Sequence, residues 1–440
     1  MPKRLAAEQN RSKWAWYFYD FGNSAYASII LLAVYSAFFK NVVVGGAEGT
    51  RLWALAVGIA SAAVAALSPL LGAIADFTRF KKQFMILFTL LSVVFTGLLF
   101  FVRAGDVAIG MIFFILAEIG YRAGQLFYDA LLTDVSTVET IGSISGKGWA
   151  FGMIGGILSL VIVFIPIRLI GDRMIPFSFP IAALFFLFSA IPTFIWVKER
   201  KQAGSIPRVE TAISLAFKNL AQTFRSIKSY KEFAKYTIAF LFYNNGLMML
   251  MEFASIIGAT LYGLDQMQLI YFVILIQITG AFGALLFGKL ADKYSSKTSA
   301  LIALMVLSLS LTGLFFTSSE IWFFVIGGLV GFFMSAAQTV SRSIVGQLAP
   351  DDRVTEFYGF LSVAGSAATF IGPFVFGTLT FRMHNWYVNR GLDEVLAEKN
   401  SLLWGVGSII AFLLVGSALF LLVKRITIKK KHTRKRKRRK

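Results

Sequence analysis

Apolar residues run along this chain in continuous blocks of about 18–25 residues, the length at which a helix crosses a bilayer. Twelve such spans are predicted, at 14–39, 52–76, 84–103, 107–131, 147–170, 177–197, 233–262, 266–291, 298–317, 321–345, 356–381 and 402–423. The blocks are unbroken, whereas barrel strands alternate over ~10 residues, so a β-barrel is excluded. The fold class is therefore an all-α polytopic membrane protein. Connections are short except at 198–232 and 382–401. The first of these divides the chain into six spans plus six.

Polar residues inside the spans recur with a period of three helices. Spans three, six, nine and twelve are almost purely apolar between their ends and are expected to face lipid. Spans two, five, eight and eleven are rich in small residues such as Gly152, Gly155 and Gly156, which suits close packing between halves. Spans one, four, seven and ten carry the embedded polar groups. They hold Tyr19, Asp20, Asn23 and Ser24; Glu118, Arg122, Gln125 and Asp129; Asn244, Asn245 and Glu252; and Gln338 and Arg342. Ionisable groups within a membrane normally face a bundle interior or a wet cavity, so one central cavity lined by these four spans is expected.

Span four carries the densest polar stripe. Glu118 and Arg122 are four residues apart and share a helix face. Gln125 and Asp129 extend that stripe. Two readings stand side by side. The pair holds span four to a neighbour, or Arg122 meets an anionic group in a cavity while Glu118 or Asp129 exchanges a proton. Asp20 is either a cavity carboxylate or a packing one paired to a tyrosine or to Arg122. Asn244 and Asn245 bind solute or satisfy an unwound turn beside Gly246. Glu252, nearer the outer end of span seven, is a candidate outer gate or proton site. Arg342 snorkels to the interface or binds. Trp14, Trp16, Trp53, Trp322 and Trp404 lie near span ends and are expected in interfacial belts. Tyr17, Tyr19, Tyr26, Tyr121 and Tyr128 share helices with the embedded charges and are cavity candidates.

Composition agrees with the span pattern. Hydrophobic residues make up 57% and mean hydropathy is +0.71, against ~45–50% apolar in an ordinary soluble domain. With no cysteine there is neither a disulfide nor a thiolate metal site. The two histidines, His384 and His432, fall outside the spans, so proton transfer, if any, falls to the carboxylates Asp20, Glu118, Asp129 and Glu252. The N-terminal apolar segment is long, aromatic and without a small-residue cleavage site, which reads as an uncleaved first span. No metal cluster, nucleophile triad or phosphate loop is present in the sequence. No cofactor is expected, and an enzyme is not.

Charge sets the orientation. Net charge is +20; residues 424–440 hold twelve Lys or Arg, leaving +8 for the rest. Lys3, Arg4, Arg11 and Lys13 precede span one; Arg79, Lys81 and Lys82 follow span two; loop 198–232 is rich in Lys and Arg. The alternate loops are poor in them. Both termini are thus expected in the cytoplasm. The domains read as an N-terminal half, 1–197, a basic cytoplasmic loop, 198–232, a C-terminal half, 233–424, and a disordered polybasic tail, 425–440. The tail is expected to touch anionic lipid, and nothing else in the chain supports nucleic-acid binding.

The halves repeat. Gly72-Ala-Ile-Ala-Asp76-Phe-Thr-Arg-Phe-Lys81 and Gly288-Lys-Leu-Ala-Asp292-Lys-Tyr-Ser-Ser-Lys297 share Gly-x-x-x-Asp-x-x-x-x-Lys at an offset of 216 (288 − 72). A weaker echo links Gly148–Gly155 with Gly359–Gly365. Parallel six-helix halves are the layout of the major facilitator fold. Glycine permits close helix approach, the aspartate can face a helix N-terminus, and the lysine stays at the cytoplasmic surface. Gly72, Asp76, Lys81, Gly288, Asp292 and Lys297 are accordingly cytoplasmic gate candidates.

Three stretches also carry a resemblance. Tyr19-Asp20-Phe21-Gly22-Asn23-Ser24-Ala25-Tyr26, the doubled Gly-Asp-Lys loops, and Thr355-Glu356-Phe357-Tyr358-Gly359 through Gly372-Pro373 resemble the vacuolar-effluxer-like family of the major facilitator superfamily. The resemblance spans the twelve-helix region and implies secondary transport by alternating access, with fungal members linked to amino-acid export from the vacuole. It assigns Tyr19, Asp20, Asn23 and Ser24 to the signature helix. The expected protein is a monomeric multi-pass carrier of a bacterial plasma (inner) membrane. It would move small organic solutes such as amino acids, with protons as candidate coupling ions. The alternatives are an exporter of amphipathic drugs or lipids, favoured by the many Phe, and a non-transporting receptor or scaffold on a carrier fold.

Overall fold

The computed structural model describes residues 2–77, 80–136, 141–199, 230–293, 295–348, 357, 361, 365 and 369–424, without the side chains of 2–7, 68–70, 72–77, 133, 141–143, 145, 292, 342 and 346. Regular structure among the described residues is helical throughout. In chain order the N-terminal half holds α1 (Pro2–Tyr26), α2 (Gly46–Phe77), α3 (Lys81–Leu98), α4 (Val107–Val135), α5 (Ile141–Ile170) and α6 (Ser178–Trp196). The C-terminal half holds α7 (Lys231–Tyr262), α8 (Gln266–Lys293), α9 (Ser296–Thr312), α10 (Glu320–Leu348), α11 (Ile371–Val388) and α12 (Glu394–Leu421). Eleven of these spans are long and apolar enough to cross a membrane. Of the remaining predicted span, 356–381, the residues 357, 361, 365 and 369–381 are described, and its last part begins α11.

Packing repeats between halves. In the first, α1 lies against α5 and α6, α4 against α2 and α3, and α3 against α6. In the second, α7 lies against α11 and α12, α10 against α8 and α9, and α9 against α12. Each pairing recurs six helices later. The halves meet where α2 packs on α11 and α5 on α8, the small-residue spans. Glycine makes the close approaches possible. A Cβ on Gly155 of α5 would sit 2.1 Å from the Phe21 carbonyl oxygen of α1, and one on Gly283 of α8 would sit 2.0 Å from that of Phe332 in α10. Any larger residue would force the backbones apart.

Exposure sorts the helices as well. In the most apolar stretch, 78% of α1 with its continuation and 61% of α7 is buried, against 33% of α3. Leu87, Phe188, Leu309 and Leu421, on α3, α6, α9 and α12, are exposed, as lipid contact requires. Trp14, Trp322 and Trp404 are exposed. Trp16 and Trp53 depart from the expected belt: both are buried, because each indole N–H finds an internal carbonyl, Tyr128 and Glu252 respectively.

The ends of two spans differ from the expected boundaries. Beyond Tyr26, α1 continues as a π-helical stretch Ala27–Ala33, a short α-helical turn Tyr35–Phe38, and a second π-helical stretch Phe39–Val44. α11 runs on to Val388 and α12 starts at Glu394, so the expected loop 382–401 is mostly helix and His384 sits on α11. Asp393 caps α12 by accepting from the Leu396 N–H. The face carrying residues 40–46, 262–266 and 388–398 lies opposite the chain ends and is called the far face below.

Candidate functional site

Arg122 of α4 is the centre of the embedded charge. Its Nε donates to Glu118 Oε1 one turn back at 2.5 Å, and its Nη2 donates to Glu252 Oε1 of α7 at 2.9 Å. One guanidinium thus spans the two halves and holds a carboxylate on each side. Glu118 is fully buried, and Glu252 nearly so, while Arg122 keeps partial exposure. The second oxygen of each carboxylate has no hydrogen-bond partner among the described residues. Tyr26 is buried beside Glu118 and stacks on Tyr121 at 4.6 Å. Glu252 is anchored in turn through its backbone, whose carbonyl accepts from the Trp53 indole at 2.9 Å.

The other predicted residues fall into two groups. Asn23 and Gln125 meet directly, with Asn23 Nδ2 donating to Gln125 Oε1 at 2.6 Å, which ties α1 to α4 one turn from Arg122. Asp20 and Ser24 lie against Gly152 of α5, and the Ser24 hydroxyl donates to the Asp20 carbonyl at 2.8 Å. Tyr19 belongs to the interior of the N-terminal half: its hydroxyl meets Thr89 of α3 at 2.8 Å and its ring stacks on Tyr128 at 4.9 Å. Asp129 is exposed. Asn244, on α7 with Glu252 but eight residues before it, and Gln338 of α10 are half-buried.

Asn245 is occupied by backbone. Its Nδ2 donates to the Leu241 carbonyl at 2.7 Å, and its Oδ1 accepts from the Gly372 N–H at 2.9 Å. Gly372 lies in the first turn of α11, where backbone N–H groups lack intrahelical acceptors. Asn245 therefore serves as a cap supplied from a neighbouring helix.

Of the gate candidates, the side chains of Gly72, Asp76 and Asp292, like that of Arg342, lie outside the described residues. Gly288 faces Thr339 of α10. Lys81 was expected at the surface and is instead buried, with its Nζ 3.2 Å from Asp134 at the end of α4. A buried ammonium needs such a partner. The adjacent Lys82 reaches the Val197 carbonyl at the end of α6, and Lys297 reaches the Leu421 and Val423 carbonyls at the end of α12. In both halves a lysine opening the third helix caps the end of the sixth, a favourable place for a cation.

Several residues that join the halves carry no signal in the sequence. Lys40 pairs with Glu398 at 2.5 Å, Ser255 donates to the Leu32 carbonyl, and Gln266 donates to the Ala33 carbonyl at 2.7 Å. Lys40 and Glu398 fell at or beyond the expected span ends. A groove lined by Leu275, Glu320, Ile321, Phe324, Val325 and Gly328 also opens between α8 and α10, and none of the Arg122 cluster lines it.

Comparison with known proteins places this architecture. The family described as vacuole effluxer Atg22 like matches residues 50–138 and 133–388. An uncharacterized MFS-type transporter, YxiO, of Bacillus subtilis is 28% identical over 85% of this chain and 88% of its own. Autophagy-related protein 22 of Yarrowia lipolytica is 20% identical over 61% of this chain and 50% of its own. Among solved structures, a bacterial homologue of the human lysosomal transporter Spinster superposes with a TM-score of 0.69 at 14% identity, covering 95% of this chain and 96% of that one. The nucleoside transporter NupG gives 0.65 at 14% identity, covering 94% and 99%. Twelve long helices among the described residues, in two repeated halves, buried charge between them and a family match over most of the length agree: this chain is a multi-pass membrane transporter of the major facilitator superfamily and belongs to the vacuole effluxer Atg22-like family.

Proposed function

We propose that the chain carries small zwitterionic solutes of the amino-acid type across a bacterial plasma membrane, with both termini cytoplasmic, and that Arg122 with Glu118 and Glu252 forms the solute and proton site. The observation that carries this is the bridge between halves. Alternating access requires groups at mid-depth whose partners change as one half rocks against the other. The Arg122–Glu252 ion pair joins the two halves and supports this reading.

Charge supports the solute class. Two carboxylates and one guanidinium leave one negative charge in excess, in a region where burying a charge without a partner is costly. A solute ammonium or a proton would neutralise it. A solute carboxylate would compete with Glu252 for Arg122 and so loosen the bridge. A zwitterion meets both needs with one molecule. Asn23 and Gln125, one turn away, offer amide groups for its remaining polar atoms. Fungal autophagy-related protein 22, a relative by sequence, belongs to the branch whose resemblance implies amino-acid export, which agrees with this class.

Thermal stability of the purified full chain against amino acids, nucleosides, sugars and amphipathic amines tests the reading, since a bound ligand stabilises by mass action. Amino acids should raise the melting temperature of the native chain and leave Arg122→Ala unmoved. Counterflow in proteoliposomes should then show uptake of the same compounds. Stabilisation by amphipathic compounds alone would replace the zwitterion reading with a drug or lipid exporter.

A further inference from the structure

The far face is closed by contacts that the solute site does not explain. Their centre is the irregular end of α1. The π-helical stretch Ala27–Ala33 ends at Val34, whose φ of −116° and ψ of −62° depart from helical values before the α-turn Tyr35–Phe38 begins. A change from π to α pitch kinks a helix, and such irregularities gather at functional positions. The last two carbonyls of the π-helical stretch, immediately before this change, are taken up by the other half. The Ser255 hydroxyl of α7 donates to Leu32 and the Gln266 amide at the start of α8 donates to Ala33. Beyond the kink, Lys40 is buried and its ammonium lies 2.5 Å from Glu398 in the first turns of α12.

We propose that the Ala27–Val44 end of α1 is the latch of the far face, with Val34 as its hinge, Ser255 and Gln266 as its backbone grips and Lys40–Glu398 as its lock. Opening that face breaks all three contacts together, because all three join one short segment of the first half to the second. The geometry suits a latch better than a static staple. The grips hold main-chain carbonyls at an irregular turn, which regains internal hydrogen bonds by shifting pitch when released. The lock joins two charges that water solvates readily once the face opens, so the pair loses little by parting. The proposal rests on the alternating-access reading and is independent of which solute is carried.

The natural chain contains no cysteine, so one introduced thiol reports accessibility without background. Ser36→Cys suits the purpose. Ser36 is fully buried, its hydroxyl has no hydrogen-bond partner among the described residues, and it lies one turn before Lys40. The purified full chain carrying this thiol, in nanodiscs, is alkylated with a membrane-impermeant maleimide. Glu398→Lys sets two cations together, and the labelling rate should rise about tenfold as the open population grows. Adding Lys40→Glu restores an ion pair with exchanged ends and should return the rate to near that of the parent. Gln266→Leu, which removes one grip without changing charge, should also raise it, and it decides the matter if Glu398→Lys elutes as aggregate. Unchanged labelling in Glu398→Lys and Gln266→Leu, or a charge exchange that leaves the thiol as exposed as the single reversal, would overturn the latch. Thiol exposure is read without a solute, so failure of every amino acid to bind would remove the substrate assignment and leave this result standing.

Discussion

Arg122 is the residue on which the two halves lean. Removing one partner of a buried charge group strands the others, at a cost of about 3–5 kcal/mol. Arg122→Ala leaves both Glu118 and Glu252 uncompensated and should lower the melting temperature sharply. Glu252→Gln keeps an acceptor for Arg122 and removes the surplus charge, so it should be far milder and should stabilise the contact between halves. Equal melting temperatures for Arg122→Ala and the native chain would show that the bridge carries no weight. The sequence exposed half of this cluster. Glu118 and Arg122 are visible as a pair because helical spacing fixes their faces. Glu252 stood out as a buried carboxylate, yet its partner lies 130 residues away, beyond what local spacing can indicate.

At the scale of elements, the structure turns on where helices touch. Asn245 offered two sequence readings, solute binding or satisfaction of backbone, and its contacts are with backbone on both sides. Asn245→Ala should free the Gly372 N–H in the first turn of α11 and destabilise by about 1 kcal/mol, as loss of a helix cap does, and Asn245→Asp should not recover it, because a buried carboxylate cannot donate to the Leu241 carbonyl. Gly155→Ala tests the α1–α5 contact. Its Cβ would meet the Phe21 carbonyl at 2.1 Å, and overpacking of this kind costs about 1–3 kcal/mol. A melting temperature unchanged in Gly155→Ala would mean that α5 shifts without penalty. Helix existence was legible because apolar runs of bilayer length admit little else. Helix ends were not, because the last turns of α1 and the first of α12 are held by tertiary contacts that no local signal encodes.

The whole molecule is a pair of repeated bundles. The repeated motif at an offset of 216 announced this, and the matching helix contacts in both halves bear it out. Lys82 and Lys297 each cap the last helix of their own half, although the motif counterpart of Lys297 is Lys81, which pairs with Asp134 instead. The polybasic tail, 425–440, lies outside the described residues and beyond the twelve helices. A carrier should keep its flux when the tail is deleted. Absence of flux in the full and truncated chains alike, with loss of a bound partner on truncation, would favour the scaffold reading instead.

Sequence by itself determined that this chain is helical, crosses a membrane many times, comes in two halves and buries charge in its first, fourth and seventh helices. Those properties follow from the cost of exposing backbone or charge to hydrocarbon, which acts residue by residue and is written in composition and period. Only the tertiary structure decided which of those polar groups meet. It joined Arg122 to Glu252, gave Asn245 to the start of α11, and brought Lys40 to Glu398 and Ser255 to Leu32. Such partnerships depend on how the two bundles face each other. That arrangement is set by the sum of many small packing contacts, to which no single stretch of sequence contributes enough to be read alone.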